Sequence, residues 1–478
     1  MIRLAATADR ASGSPAGIAH LVGICGSGMQ SLAGVLLDRG WHLTGSDVDP
    51  ARALWLRSRG VHVSAGHAAG HLSPHAGMLI YSDAVGADNP ERRQATARRI
   101  PQFSYPAMLG QLMAGRQGLA VTGTHGKSTV TAMASGILLA AGLDPTVVVG
   151  AVPRGREHGG RHGDGALVLV EACEYRANFL HLLPQTAVVL GIEADHFDYF
   201  RTLADVEAAF RRFLSQLPSG ALAIVNQDCP ATRRAIAGLD LNLQTLGCTA
   251  SADWQATDVR AQVGRYRFAV RHRRRLVAEV KLSVAGGHQV GNALAAAALA
   301  HAAGAADEAI AEGLRQFRGL KRRLEVLGSW QGITLVDDYA HHPTEVRAAL
   351  AAVRELYPGR RLWCIFEPHQ ASRTRHLLDE FAASLQNADV VAVADIVRAR
   401  EGPPLAGEVQ AADLAERVDG ATGSQGAPSV IGCHTRGELL EHLSAQAAAG
   451  DVVLTLGAGD IRNVCHGLAS RLRRPCAA

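Results

Sequence analysis

Short apolar runs that end in glycine-rich turns and continue into amphipathic or alanine-rich segments recur along this chain. "IAHLVGICGSGMQSLAGVLLDRGWHLTGSD", from residue 18, reads as strand, glycine turn, helix and second strand. "GLAVTGTHGKSTVTAMASGILLAAGL", from residue 118, repeats that order, and "RLWCIFEPHQASRTRHLLDEFAASL", from residue 361, does so again. Strands alternating with helical segments predict parallel α/β sheets. A length of 478 residues suggests about three domains. The breaks fall after the helix-forming stretch near residue 115 and after "FRGLKRRLEVLGSWQG", giving units 1–115, 116–327 and 328–478.

Composition adds little to that picture. The chain is 47% hydrophobic, with aromatics at only 5%, so the core must rest on Ala, Val, Leu and Ile. A net charge of +4 is small and scattered, and runs such as "RHRRR" at 271–275 read as solvated surface rather than a nucleic-acid patch. The eight Cys lie far apart with no C-x-x-C pair, which argues against a zinc ribbon or a thioredoxin-type site and predicts reduced thiols. No run of apolar residues is long enough to span a bilayer. A cytoplasmic protein with no membrane insertion is the expectation.

Candidate chemistry begins at "TGTHGKST", residues 122–129. Gly123 and Gly126 let the backbone curl so that amides face inward, and the helix N-terminus behind them favours phosphate. Lys127 can reach the outer phosphates and Ser128 can place a hydroxyl on Mg²⁺. Gly123, Thr124, His125, Gly126, Lys127, Ser128 and Thr129 are therefore the predicted nucleoside triphosphate site.

An earlier turn, "GICGSGM" at 23–29, follows an apolar run and leads to Ser46 and Asp47 about twenty residues on. That pattern leaves a dinucleotide, another nucleotide or a purely structural turn open. Two further apolar runs end in Glu171 and Glu174, and in Glu193, Asp195, His196 and Asp198, where open α/β sheets carry their chemistry. A carboxylate and an imidazole there can hold a metal. His288 and Asn292, four apart on an alanine-rich helix, share a face.

Taken together, "GICGSGM", "TGTHGKST", "EACEYRANFLHL" with "IEADHFDYF", "GGHQVGNALAA", "FRGLKRRLE" with "DDYAHHPTE", and "FEPHQASRTRHLLDEF" resemble the Mur ligases of peptidoglycan synthesis, in the family's order over nearly the whole chain. The last two point to the alanine-adding branch and its close relatives. The resemblance implies an N-terminal Rossmann-like domain for a UDP-sugar, a central P-loop ATPase with a mostly parallel sheet, and a C-terminal Rossmann-like domain that closes on an amino acid. It implies that ATP, with Mg²⁺, phosphorylates the carboxylate of UDP-N-acetylmuramate and that L-alanine attacks the acyl phosphate. A recycling ligase that attaches a tripeptide to the same sugar, and a nucleotide-binding regulatory protein with lapsed catalysis, are the rivals.

Carried across by matching positions, the resemblance makes Lys127, Glu171, His196 and Arg323 catalytic and Ser128, Glu171 and His196 metal ligands. His288 and Asn292 would contact adenine, and Asp338 the ribose of ATP. Gly26, Ser27, Gly28, Met29, Ser46, Asp47 and Ser82 would line the UDP-sugar pocket. His341, His342, His369, Arg373 and Arg375 would lie by the amino acid and acyl phosphate. The chain departs from the family pattern at Cys173 and Arg176, where acids are usual, at Gly191 in place of Asn, at Gln370 in place of Arg, and at "YSDAV", residues 81–85.

Overall fold

The computed structural model describes residues 17–249, 251–420, 428–432 and 435–473. Each apolar run becomes a strand buried on both faces, and the strands form three sheets. The first consists of β1 (Ile18–Val22), β2 (His42–Asp47), β3 (His62–Ala65), β4 (Met78–Tyr81) and β5 (Gln102–Ser104), all parallel, in the order β3-β2-β1-β4-β5. Its order reverses beside β1, so the glycine turn at 23–26 opens at a switch point, where α/β sheets bind ligands.

The central sheet runs through β6 (Gln117–Thr122), β7 (Thr146–Val148), β8 (Gly160–Arg161), β9 (Leu167–Glu171), β10 (Thr186–Val189), β11 (Leu222–Asn226), β12 (Asn242–Gly247), β13 (Trp254–Gln262), β14 (Arg265–His272) and β15 (Arg275–Ala285). Its order is β15-β14-β13-β12-β11-β10-β6-β9-β7-β8. β6 sits between β9 and β10, parallel to both, while β13 to β15 extend one edge as an antiparallel meander. The basic run at 271–275 is the hairpin turn between β14 and β15. Helix Lys127–Ala140 covers one face with helices His288–Ala302 and Asp307–Gln316. Ala293 and Ala295 to Ala298 are sealed from water, as an apolar helix at the centre of a core must be.

The third sheet holds β16 (Glu325–Trp330), β17 (Ile333–Asp338), β18 (Leu362–Phe366), β19 (Val390–Val393), β20 (Ser429–Ile431) and β21 (Val452–Leu456), ordered β16-β17-β21-β18-β19-β20. Only β16 is antiparallel. The sequence-based break at 327/328 cuts through β16. The chain passes into this sheet at Glu325, because the antiparallel partner of β17 precedes it with a turn at Gln331 and Gly332 that periodicity does not mark. The first break is simpler: helix Tyr105–Met113 ends and β6 starts at Gln117. The six described cysteines are all free thiols; Cys433 and Cys476 lie outside the described residues.

Candidate active site

β6 hands the chain to the glycine loop at Thr122. Gly123 (φ 131°) and Gly126 (φ 82°) take backbone conformations that a side chain resists, and a Cβ on Gly126 would stand 2.6 Å from the Asn292 amide oxygen. Helix Lys127–Ala140 starts from Gly126 with no side-chain cap, so its first N–H groups stay free for an anion. Register then supplies the carboxylates. Val121 pairs with Glu171, the last residue of β9, so Glu171 stands beside the loop. Ser128 Oγ lies 2.9 Å from both Glu171 oxygens, and Glu171 Oε2 also accepts the Gly150 N–H at 2.7 Å.

Lys127 Nζ donates to the carbonyls of Gly123 (2.6 Å) and Thr124 (3.0 Å) and to Glu174 at 2.9 Å. Glu174 is almost completely buried, and His196 Nε2 lies 3.5 Å from its Oε1. Burial alone would raise the Glu174 pKa, but Lys127 and then His196 outweigh it and lower it. Burial would likewise lower the Lys127 pKa, and Glu174 reverses that. The pair is charged at neutral pH. His196 sits at φ 56°, in the left-handed region, with its ring tilted against Tyr175. The helix after it is capped by Thr202 and Asp205, not by Glu193 or Asp195, so those acids are free for other work.

The C-terminal sheet closes over this cluster. β17 ends at Asp338, and helix Pro343–Leu356 begins after a short loop with His342 as its N-cap. Glu345, in the first turn of that helix, faces His125 Nδ1 at 3.2 Å, accepts the His341 N–H at 3.1 Å and stands 3.7 Å from Arg323. Thr344 donates to Glu193 at 2.7 Å, and His342 Nε2 lies 3.2 Å from the Ala194 carbonyl. Buried Arg373 donates to buried Asp195 at 2.7 Å and to the His369 carbonyl at 2.8 Å. Burial would depress His125, but hydrogen bonds to Glu193 and Glu345 raise its pKa to about 9. Burial dominates at His341 and His369, whose pKa values fall to about 4 and about 3, so both rings are neutral.

Between the two domains lies a cavity of about 330 Å³. His125, Ser128, His288, Asn292, Arg323 and Asp338 face it with the apolar Leu190, Cys229 and Leu246. His288 is held neutral, its pKa lowered to about 4 by burial and by Arg323. Asn292 donates to Gln289 at 3.1 Å, and Gln289 in turn meets His288 at 3.0 Å, so ring and amide form one connected row. Asp338 accepts the N–H groups of Leu324 and Ala340, both at 2.7 Å; burial raises its pKa to about 6 against Arg323 and those bonds.

In the first domain Gly26 and Ser27 are exposed at the turn and Gly28 lies against the Tyr105 ring, while Met29 is buried in the core. Asp47 accepts the Cys25 N–H at 2.8 Å and thereby fixes the turn. Ser82 is half-buried beside Gly23. Two expected site residues stand elsewhere. Ser46 is fully buried and its hydroxyl donates to Glu91 at 2.6 Å, so it offers nothing to a ligand. Arg375 is exposed, two residues from Arg373 on a short helix and hence on a different face. Cys173 is half-buried, its thiol pKa pushed up to about 12 by burial and then Glu174. Arg176 donates to the Asp83 carbonyl at 2.9 Å and links the central domain to the 81–85 loop.

Glu345 and Gln289 went unnoticed in the sequence. Glu345 was legible as the acid three residues after the cap in "HHPTE"; Gln289 had no signal beyond its place beside His288.

Three family models match the chain: "Mur ligase family, catalytic domain" over residues 18–117, "Mur ligase middle domain" over 121–300 and "Mur ligase, glutamate ligase domain" over 322–459. A curated UDP-N-acetylmuramate–L-alanine ligase of Salinibacter ruber is 39% identical over 444 residues, covering 92% of each chain. The crystal structure of the UDP-N-acetylmuramate-alanine ligase of Thermotoga maritima superposes with a TM-score of 0.79 at 26% identity, covering 95% of this chain and 99% of that one. A murein peptide ligase of Psychrobacter arcticus gives a TM-score of 0.71 at 26% identity, covering 97% and 100%. The chain belongs to the Mur ligase family.

Proposed function

We propose that this protein joins L-alanine to the carboxylate of UDP-N-acetylmuramate, with ATP cleaved to ADP and phosphate, in the cytoplasmic assembly of peptidoglycan precursors. One observation carries the chemistry: Lys127, Ser128, Glu171, Glu174 and His196 converge at the glycine loop, beneath a domain that closes over them. The alanine-adding activity itself is that of relatives which match along almost their full length.

In this reading the free amides behind Gly126 hold the ATP phosphates, and Lys127 leaves Glu174 far enough to neutralise charge growing on the transferred phosphoryl group. The row His288–Gln289–Asn292 holds the adenine, and Asp338 the ribose. Ser128 and Glu171 are hard oxygen donors already side by side, a set that fits Mg²⁺, with His196 as a ligand to a second ion. Mg²⁺ would supply charge neutralisation on the phosphates. The first domain, at the turn 23–29 and Ser82, takes the UDP-sugar. Once the carboxylate oxygen has displaced ADP, the acyl phosphate needs protection from water, and the docked C-terminal domain excludes it. Neutral His341 and His369 can accept a hydrogen bond from the incoming amine without repelling it. Attack on the carbonyl then expels phosphate, and Arg323 is placed to meet that charge.

Phosphate release measured with ATP, Mg²⁺ and UDP-N-acetylmuramate tests the reading. Release that requires both sugar and L-alanine upholds it. Release only with an L-alanyl tripeptide assigns the chain to recycling, and none with either acceptor removes the ligase reading.

A further inference from the structure

Where the central and C-terminal domains meet, beside the cavity, three side chains come together that take no step in the ligase reaction as described: His125 of the phosphate loop, Glu193, and His342. His125 Nε2 and His342 Nδ1 lie 3.5 and 3.8 Å from the same oxygen, Glu193 Oε2. One ligand atom from each residue falls within 4.8 Å of the other two. A tetrahedral zinc ion with bonds of about 2.0–2.1 Å holds its ligand atoms roughly 3.4 Å apart, close to both nitrogen–oxygen distances, and the two rings need only draw together to meet it.

The far side of each ring is already committed. His342 Nε2 lies 3.2 Å from the Ala194 carbonyl; a carbonyl only accepts, so Nε2 carries the proton and Nδ1 keeps its lone pair. Glu345 draws the Nδ1–H of His125 at 3.2 Å, which turns the buried Nε2 inward toward Glu193 Oε2, 3.5 Å away. Thr344 Oγ1 orients the Glu193 carboxylate at 2.7 Å, while the Thr344 N–H makes only a long 3.3 Å bond to His342 Nδ1. Imidazoles whose other nitrogen donates to a carboxylate or a carbonyl are the usual outer-shell arrangement of a metal site.

We propose that His125, Glu193 and His342 bind a divalent transition ion of the zinc type. Two imidazole nitrogens and one carboxylate oxygen suit such an ion and disfavour Mg²⁺. Because His125 and Glu193 belong to the central domain and His342 to the C-terminal one, the bound ion pins the two together. In the metal-free protein a proton on His125 bridges Glu193 and Glu345, and the ion replaces it. The site shares no residue with the Ser128–Glu171 pair, although His125 comes from the same phosphate loop.

The test titrates nucleotide-free, chelator-treated protein with Co²⁺, read by its visible d–d bands, and with Zn²⁺, read by calorimetry. Wild type and Glu171→Gln should each bind one equivalent with a tetrahedral-type Co²⁺ spectrum. Glu193→Gln and His342→Asn, checked for folding by circular dichroism without metal, should bind at least about tenfold more weakly. Zn²⁺ should also raise the thermal midpoint and reduce the radius of gyration of wild type but not of those two variants. No stoichiometric binding, binding undiminished in both variants, or binding lost in Glu171→Gln would overturn the proposal.

Discussion

Arg373 and Asp195 meet at 2.7 Å across the junction of the central and C-terminal domains, both nearly sealed from water. Breaking a buried pair leaves one charge uncompensated, at about 3–5 kcal/mol. Relative motion is the default expectation for two domains joined through a limited interface, and their separation would let Asp195 hydrate. Arg373→Gln should therefore shift the protein toward an open form rather than unfold it. Small-angle scattering should report a larger radius of gyration, with turnover down at least tenfold; an unchanged radius would deny the pair its role in closure.

Half-buried Lys127 and buried Glu174 form a second pair, inside the site. Lys127→Ala should abolish phosphate release and also lower the thermal midpoint, since Glu174 keeps only His196. Adding Glu174→Gln should recover the midpoint but not the activity. Near-native turnover in Lys127→Ala would remove the loop from the chemistry.

His125 sets a pH limit on closure. Its folded pKa, about 9, lies above the ordinary 6.5, so its contribution is fully present below pH 6.5 and is lost as pH rises through about 9. Glu193, lowered to about 2 by its hydrogen bond to His125 against burial, contributes above its ordinary 4.5 and fails only in strong acid. Scattering from pH 7 to pH 10 should show opening in the wild type. His125→Gln should show a flat profile, and a matching transition there would point to another group.

His196→Ala should raise the Mg²⁺ concentration for half-maximal phosphate release by about 10–100-fold, the usual scale for a weakened metal shell. An unchanged Mg²⁺ dependence would take the ring out of the metal site.

Gly191 stands where the family pattern has Asn, yet a Cβ there meets nothing within 4 Å. Gly191→Asn should fold with an undiminished thermal midpoint, helped by about 0.4–1 kcal/mol from a less flexible unfolded chain. Because Gly191 lines the cavity, its effect should fall on the KM for ATP. A lower midpoint would contradict the open space.

Local chemistry wrote much of this protein into its sequence. The apolar runs at 18–22, 118–122 and 362–366 each became a parallel strand with a turn and helix behind it, because a strand buried on both faces must be apolar throughout. The tight turn at Gly123 and Gly126, with Lys127 and Ser128 opening the helix, was legible because such a turn depends on residues adjacent in the chain. Long-range partners were not. Ser46 reads like a residue of the UDP-sugar pocket, but Glu91, 45 residues on, takes its hydroxyl into the core. Arg373 and Arg375 are alike in sequence, and only helix phase buries one and exposes the other. Glu345 acquires meaning only when His125, 220 residues away, arrives beside it. Periodicity and turn chemistry act over a few residues, so they determine elements and single-loop sites. Which charges pair across domains depends on how whole sheets dock, and only the tertiary structure decided that.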